Sequence, residues 1–249
     1  MTCIFCFGEI ADKRVEHILP ESLGGKAWAC LPHGIVCGSC NQYFGAKVEA
    51  KALSSYPFLP IRLLLGIPTK HRKPPAMSTA IGIFRSTLQA GLLGIQPLTK
   101  EVEDGIDRGE ITQVRVIAQP QEPLSVCRLL LKMGIEVAAM ERGRASLSLF
   151  ESARRFARSP RHGDKWWFLI VCDFDSLFSK FRNGITETEW FNGVKLSIEQ
   201  FSEAAVFHLR LLDMSLIVPL DERIQAAPEL HLLAPHWQVI DVVVGEASR

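Results

Sequence analysis

Two Cys-x-x-Cys pairs, Cys3/Cys6 and Cys37/Cys40, constrain this chain more than any other feature, because its fold must bring them together. Each pair sets two thiolates about 3.5 Å apart around a tight turn, which is two corners of a Zn²⁺ tetrahedron. Two pairs close the coordination sphere and leave no open position, so the zinc they hold is expected to be structural. A redox dithiol needs only one pair and a thioredoxin-like context, which is missing. The cysteine count is seven, an odd number, and the N-terminus has no charged stretch followed by an apolar one. Both facts favour thiolates on a metal over disulfides and make the cytoplasm the expected location. Cys30, Cys127 and Cys172 have no such partner and are expected as ordinary buried thiols.

The spacer between the pairs, residues 7–36, is longer than the roughly 15 to 20 residues of a simple zinc ribbon, so it must carry structure of its own. It contains Val15-Glu16-His17-Ile18-Leu19-Pro20-Glu21-Ser22-Leu23-Gly24-Gly25. Adjacent side chains of a strand point to opposite faces, but at a twisting strand end Glu16 can hold a cation while His17 faces a reacting group. Asn41 follows the second pair directly, at the start of a helix predicted through Phe44, Val48, Ala52 and Leu53 and ending before Pro57. A metal on Cys40 therefore fixes Asn41 against the strand of Glu16 and His17.

These residues resemble the HNH endonucleases, in the four-cysteine type common in bacterial genomes and defence loci. The resemblance is carried by Cys3-x-x-Cys6, Glu16-His17-Ile18-Leu19-Pro20, Leu23-Gly24-Gly25 and Val36-Cys37-Gly38-Ser39-Cys40-Asn41-x-x-Phe44-Gly45, in that order, over about residues 1–50. It implies a ββα-metal fold, with a β-hairpin and a helix gripping one divalent ion and zinc bracing the base. By the same resemblance His17 matches the general base, Glu16 and Asn41 the ligands of a catalytic Mg²⁺ or Mn²⁺, and the four cysteines the zinc ligands. Glu in place of the commoner Asp before the base is a mild departure. A larger one is His33-Gly34-Ile35-Val36-Cys37, where the family carries Asn in Asn-Gly-x-x-Cys. That residue braces the loop that orients the base, and His33 can hydrogen-bond a backbone group in its place.

The chemistry suits the residues. Phosphodiester hydrolysis needs a base poised near neutral pH, and histidine, with an unperturbed pKa of about 6.5, provides one. A hard cation on Glu16 and Asn41 oxygens would neutralise the scissile phosphate. The expected activity is DNA cleavage, with DNA as partner. The competing reading is a zinc-braced nucleic-acid-binding or sensor protein whose core has lost catalysis, and His33 is the feature that favours it.

Beyond the module, residues 56–78 read as a Pro-rich linker, locally basic at Lys70-His71-Arg72-Lys73, after a module at 1–55. Residues 79–249 then read as a mixed α+β domain that could position DNA, bind a protein partner or sense an activating ligand. Strands are predicted at Thr112–Ala118, Trp166–Cys172, Met214–Val218 and Val239–Val244, while Ala205–Leu212 fits a strand or a helix. Helices are predicted at Pro123–Met140, with Leu129, Leu130, Met133, Val137 and Met140 on one face, and at Leu149–Arg158. The elements interleave without a βαβ rhythm, so the fold class is α+β. Arg154, Arg155, Arg158, Arg161 and Lys165 fall in one stretch, either a phosphate-tracking face or a solvated one. Trp166-Trp167 is expected to begin a buried strand, and Asp173-x-Asp175 to cap a turn. His208, His231 and His236 have no ligand spacing. A net charge of +1 on 249 residues argues against polyanion binding over the whole surface. The apolar runs fall short of the roughly 20 residues that a bilayer demands.

Overall fold

The computed structural model describes residues 1–11, 15–69, 73–112, 119–201, 204–221, 224 and 237–245. All of the predicted strand at Thr112–Ala118 beyond Thr112, most of the basic run at 70–73, and His231 and His236 lie outside the described residues.

The fold is α+β. The predicted helix after the second cysteine pair forms as α1 (Gly38–Phe44), a π-helical turn (Gly45–Glu49) and α2 (Ala50–Ala52). Phe44, Val48 and Ala52 bury one face of it, as their spacing requires. The segment expected as a linker contains a helix, α3 (Phe58–Leu65), which buries Phe58, Ile61, Leu63 and Leu64. Its prolines do not prevent this. Pro57 caps the helix and Pro60 sits in the first turn, where backbone N–H groups have no partner within the helix anyway. Next come β1 (Ala76–Ser78), β2 (Gly82–Ser86) and β3 (Leu93–Pro97), an antiparallel sheet on which α3 packs. α4 (Lys100–Asp107) follows, capped by the Thr99 hydroxyl.

The centre of the molecule is α5 (Pro123–Arg142). Proline at its first turn starts it as predicted, but the expectation of a single buried face needs correcting. Every residue from Ser125 to Ala139 is buried, including Arg128, Lys132 and Glu136, whereas Met140, expected on the apolar face, is exposed. The helix is enclosed because it has neighbours on opposite sides. Gly134 lies where an added Cβ would come within 2.8 Å of Phe207 and Leu220, so glycine lets the helix approach a sheet closely. Two positions earlier, and about 200° round the helix, Lys132 points to Glu16 and Glu49.

That sheet has five antiparallel strands in the order β5-β6-β7-β4-β8. They are β4 (Lys165–Cys172), β5 (Val194–Phe201), β6 (Ala204–Leu211), β7 (Met214–Pro219) and β8 (Trp237–Val243). The ambiguous segment is a strand: its alternating Val206, His208 and Arg210 against Phe207, Leu209 and Leu211 pair with β5 and β7. α6 (Glu151–Arg158) precedes β4, while α7 (Phe174–Arg182) and α8 (Glu187–Gly193) connect β4 to β5. Asp173 caps α7, accepting from the Ser176 N–H at 3.0 Å, as its position predicted. Trp166 and Trp167 lie in β4 with both indoles hydrogen-bonded to backbone carbonyls. His208 is held between Glu199 and Ser215. No described helix is long and apolar enough to cross a membrane.

Candidate active site and metal centres

The four paired cysteines converge. The sulfurs of Cys3, Cys6, Cys37 and Cys40 all lie within 4.8 Å of one another, and Cys6 Sγ is 3.6 Å from Cys37 Sγ. Zn–S bonds of about 2.3 Å in a tetrahedron place sulfurs about 3.8 Å apart, so the donor set fits zinc. Backbone amides face the sulfurs as well: Phe5 and Cys37 N–H donate to Cys3 Sγ, and Cys40 N–H donates to Cys37 Sγ, each at 3.4 Å. Hydrogen bonding from the Cys40 thiol, then from these amides, holds the Cys3 thiol down at about 4 despite its burial. Cys127 and Cys172 are buried as expected, but Cys30 is half-exposed and adjoins the site below.

Between the pairs the chain forms a short hairpin. His17 bridges Cys30, the Ile18 N–H donates to Ala29 O at 2.7 Å, and the Leu31 N–H donates to Glu16 O at 2.8 Å. Ile18 and Leu19 are buried, and Pro20 leads into a 3-10 turn at Glu21–Leu23. Gly24 closes the turn at φ 82°, and a Cβ on Gly25 would sit 1.8 Å from the Leu19 carbonyl oxygen. The glycine pair of the motif therefore lets the loop fold back onto the hairpin. The Trp190 indole of α8 then donates to Leu23 O at 3.2 Å.

His17 is partly exposed. Its Nε2 lies 3.3 Å from Glu21 Oε1 and its Nδ1 3.4 Å from Cys30 Sγ. The ring lines a cleft of about 670 Å³ together with Glu21, Gly24, Gly25, Lys26 and, from outside the module, Leu88, Trp190 and Phe191. Asn41, one residue after the zinc cluster, donates from Nδ2 to Val15 O at 3.5 Å, so the amide reaches the strand that carries Glu16 and His17. Its Oδ1 is the atom available to accept or to ligate.

Glu16 turns inward. Its side chain is 8% exposed, and Oε1 is 2.6 Å from Lys132 Nζ. Oε2 is buried without a hydrogen-bond partner. A buried carboxylate oxygen with no donor is of the type that a hard divalent ion takes as a ligand. His33 is exposed on the loop before the second cysteine pair.

The five basic candidates separate. Arg154 is buried, donating to Phe5 O and to Glu151, with its guanidinium 4.1 Å over Phe7. Arg158 lies 3.7 Å over the Tyr43 ring and against the Cys40 thiol. Both of these cations brace the cysteine cluster. Arg155 pairs with Asp164 at 2.7 Å, and Arg161 and Lys165 are exposed.

Residues 3–57 match the family model of the HNH endonucleases. The matched segment begins at Cys3 and ends after α2, so it takes in the cysteine cluster, the hairpin and the helix of Asn41. No curated protein and no solved structure matches the chain. Four residues near the HNH site escaped the sequence reading: Glu21, Cys30, Glu49 and Lys132. Glu21 was legible, being four residues beyond His17 in the same motif. Lys132, like Arg128, reads in the sequence as one charge among the apolar residues of α5, and no local signal ties it to Glu16.

Proposed function

We propose that this protein is a metal-dependent endonuclease that hydrolyses DNA phosphodiester bonds, with His17 as general base. The observation that carries the reading is the placement of His17: within the segment that matches the HNH model its ring lines an open cleft, and Asn41, next to the four-cysteine cluster, reaches the strand that carries it. Glu16 Oε2 and Asn41 Oδ1 would hold Mg²⁺ or Mn²⁺, which when bound neutralises charge on the scissile phosphate and the departing oxygen. His17 takes a proton from water, and the water oxygen attacks phosphorus. The bond to one bridging oxygen then breaks, separating the strand ends. Glu21 Oε1, 3.3 Å from Nε2, is placed to hold the ring in orientation. The zinc site holds the hairpin and helix together and takes no part in the chemistry. Arg161 and Lys165 are the basic candidates left exposed for backbone phosphates.

The test is incubation of supercoiled plasmid with the protein and Mg²⁺ or Mn²⁺. Wild type should nick or linearise it. His17→Ala should lower the rate by ~10²- to 10⁴-fold with zinc content unchanged. Cleavage by His17→Ala near the wild-type rate would move the base elsewhere. DNA binding without cleavage by the wild type would favour the reading as a binding or sensor protein.

A further inference from the structure

Lys132 is fully buried, and its ammonium meets four oxygens. Nζ lies 2.6 Å from Glu16 Oε1, 3.1 Å from Glu136 Oε2 and 3.2 Å from Glu49 Oε1, and it donates to the His17 backbone carbonyl at 3.3 Å. It also sits 6.0 Å over the Phe44 ring. Removing a lone ammonium from water is strongly unfavourable. Here burial opposes the charge, but the carboxylates of Glu136, Glu16 and Glu49 outweigh it and hold the Lys132 pKa above that of an ordinary lysine.

The origin of these partners matters more than their number. Glu16 and His17 belong to the hairpin, whereas Phe44 and Glu49 belong to the helix that Asn41 begins. Lys132 belongs to α5, seventy-five positions beyond the end of the matched segment. One cation from outside the HNH module therefore touches both arms of it, directly beneath the residue pair that carries the chemistry.

We propose that Lys132 is a positioning residue for the His17–Asn41 site. Its ammonium fixes the Glu16 carboxylate and the His17 carbonyl, and through Glu49 it holds the helix of Asn41 at a set distance from the hairpin. Because Lys132 takes Glu16 Oε1, only Oε2 is left for the cation site. The catalytic consequence rests on the nuclease reading above, whereas the geometric one does not. Displacing a reacting group by about 1 Å can cost on the order of 10²-fold in rate, so the effect should fall on turnover and leave DNA affinity alone.

The experiment uses the full chain as Lys132→Met, Lys132→Met/Glu136→Gln and Lys132→Arg. Methionine keeps much of the stem volume and removes the charge. The double variant also replaces the buried Glu136 carboxyl by an amide, which needs no cation beside it. Zinc content and near-ultraviolet circular dichroism identify the folded variants. In these, kcat for plasmid nicking should fall roughly 10- to 100-fold while KM for DNA stays within about twofold of wild type. Lys132→Arg should recover part of the loss. Independently of cleavage, the NMR resonances of the His17 ring and the Asn41 amide should shift, while those of His33 and His208 stay in place. A folded variant with kcat near wild type, or with unmoved His17 and Asn41 resonances, overturns the proposal. If neither methionine variant folds, Lys132→Arg decides by the same two readouts. A zinc-loaded wild type that fails to cut refutes the nuclease reading, and the NMR comparison then judges Lys132 alone.

Discussion

The His17 ring lies between a thiol and a carboxylate, and each makes a different property of it measurable. If Asn41 and Glu16 hold the cation while His17 moves the proton, the two roles should separate in a Mg²⁺ titration of the nicking rate. Asn41→Ala should need more metal and recover partly as Mg²⁺ rises, whereas His17→Ala should stay slow at every concentration, because ions cannot replace a base. Identical responses from the two variants would show that the roles are not divided in this way. Cys30, 3.4 Å from the ring, offers a second handle. Burial, then Glu21 and Glu16, push its thiol above the ordinary cysteine value, so it is protonated at neutral pH. Alkylation of Cys30 in the zinc-loaded protein should thus be slow at pH 7, quicken above pH 9 and block nicking. Mass spectrometry of the labelled peptide and an activity assay check both points, and a modified Cys30 with full activity would count against them. The four-cysteine cluster was legible because the two Cys-x-x-Cys pairs encode its geometry, and the approach of Asn41 to the strand of Glu16 and His17 followed from its place directly after Cys40. Lys132 was not legible, since only packing over more than a hundred residues brings it to Glu16. Arg154 and Arg158 read as part of a charge run because their partners, Phe5 and Cys40, are as distant in sequence.

Among elements, the hairpin loop depends most on single residues. A methyl group at Gly25 would meet the Leu19 carbonyl at 1.8 Å, which flexible side chains cannot relieve, so the backbone behind His17 has to move. Gly25→Ala should destabilise the protein by roughly 2–3 kcal/mol, lowering the melting temperature by about 4–12 °C. It should also impair nicking at temperatures where the variant remains folded. A melting curve that matches the wild type would mean that the loop relaxes at little cost. The helices after Cys37 and at α5, and the strands β4, β7 and β8, were legible from periodicity and β-branched runs. α3 was obscured by its prolines, whose position in the first turn is permitted yet reads locally as a break. α5 was identified but misjudged in burial, because periodicity reveals an apolar stripe and not how many neighbours an element has.

At the scale of the molecule, one apolar cluster runs from Cys3 to Val242 among the described residues, and α5 joins the HNH module to the five-stranded sheet through it. Zinc should therefore matter beyond its own ligands. About one zinc per chain is expected by elemental analysis, with loss in a Cys37→Ser/Cys40→Ser variant and a lower melting temperature after chelation, because metal binding is coupled to folding of the module. Full zinc retention in that double variant would refute the assigned ligands. The reach of this cluster along the chain also bears on descent. Positions 16, 49 and 136 set three carboxylates around the ammonium of position 132, so a neutral residue at 132 leaves them uncompensated. In related chains position 132 should lose its cation only where some of these acids are lost too, and the matched segment recombined onto a different C-terminal body should be tolerated only where its new neighbour also brings a cation beneath the histidine.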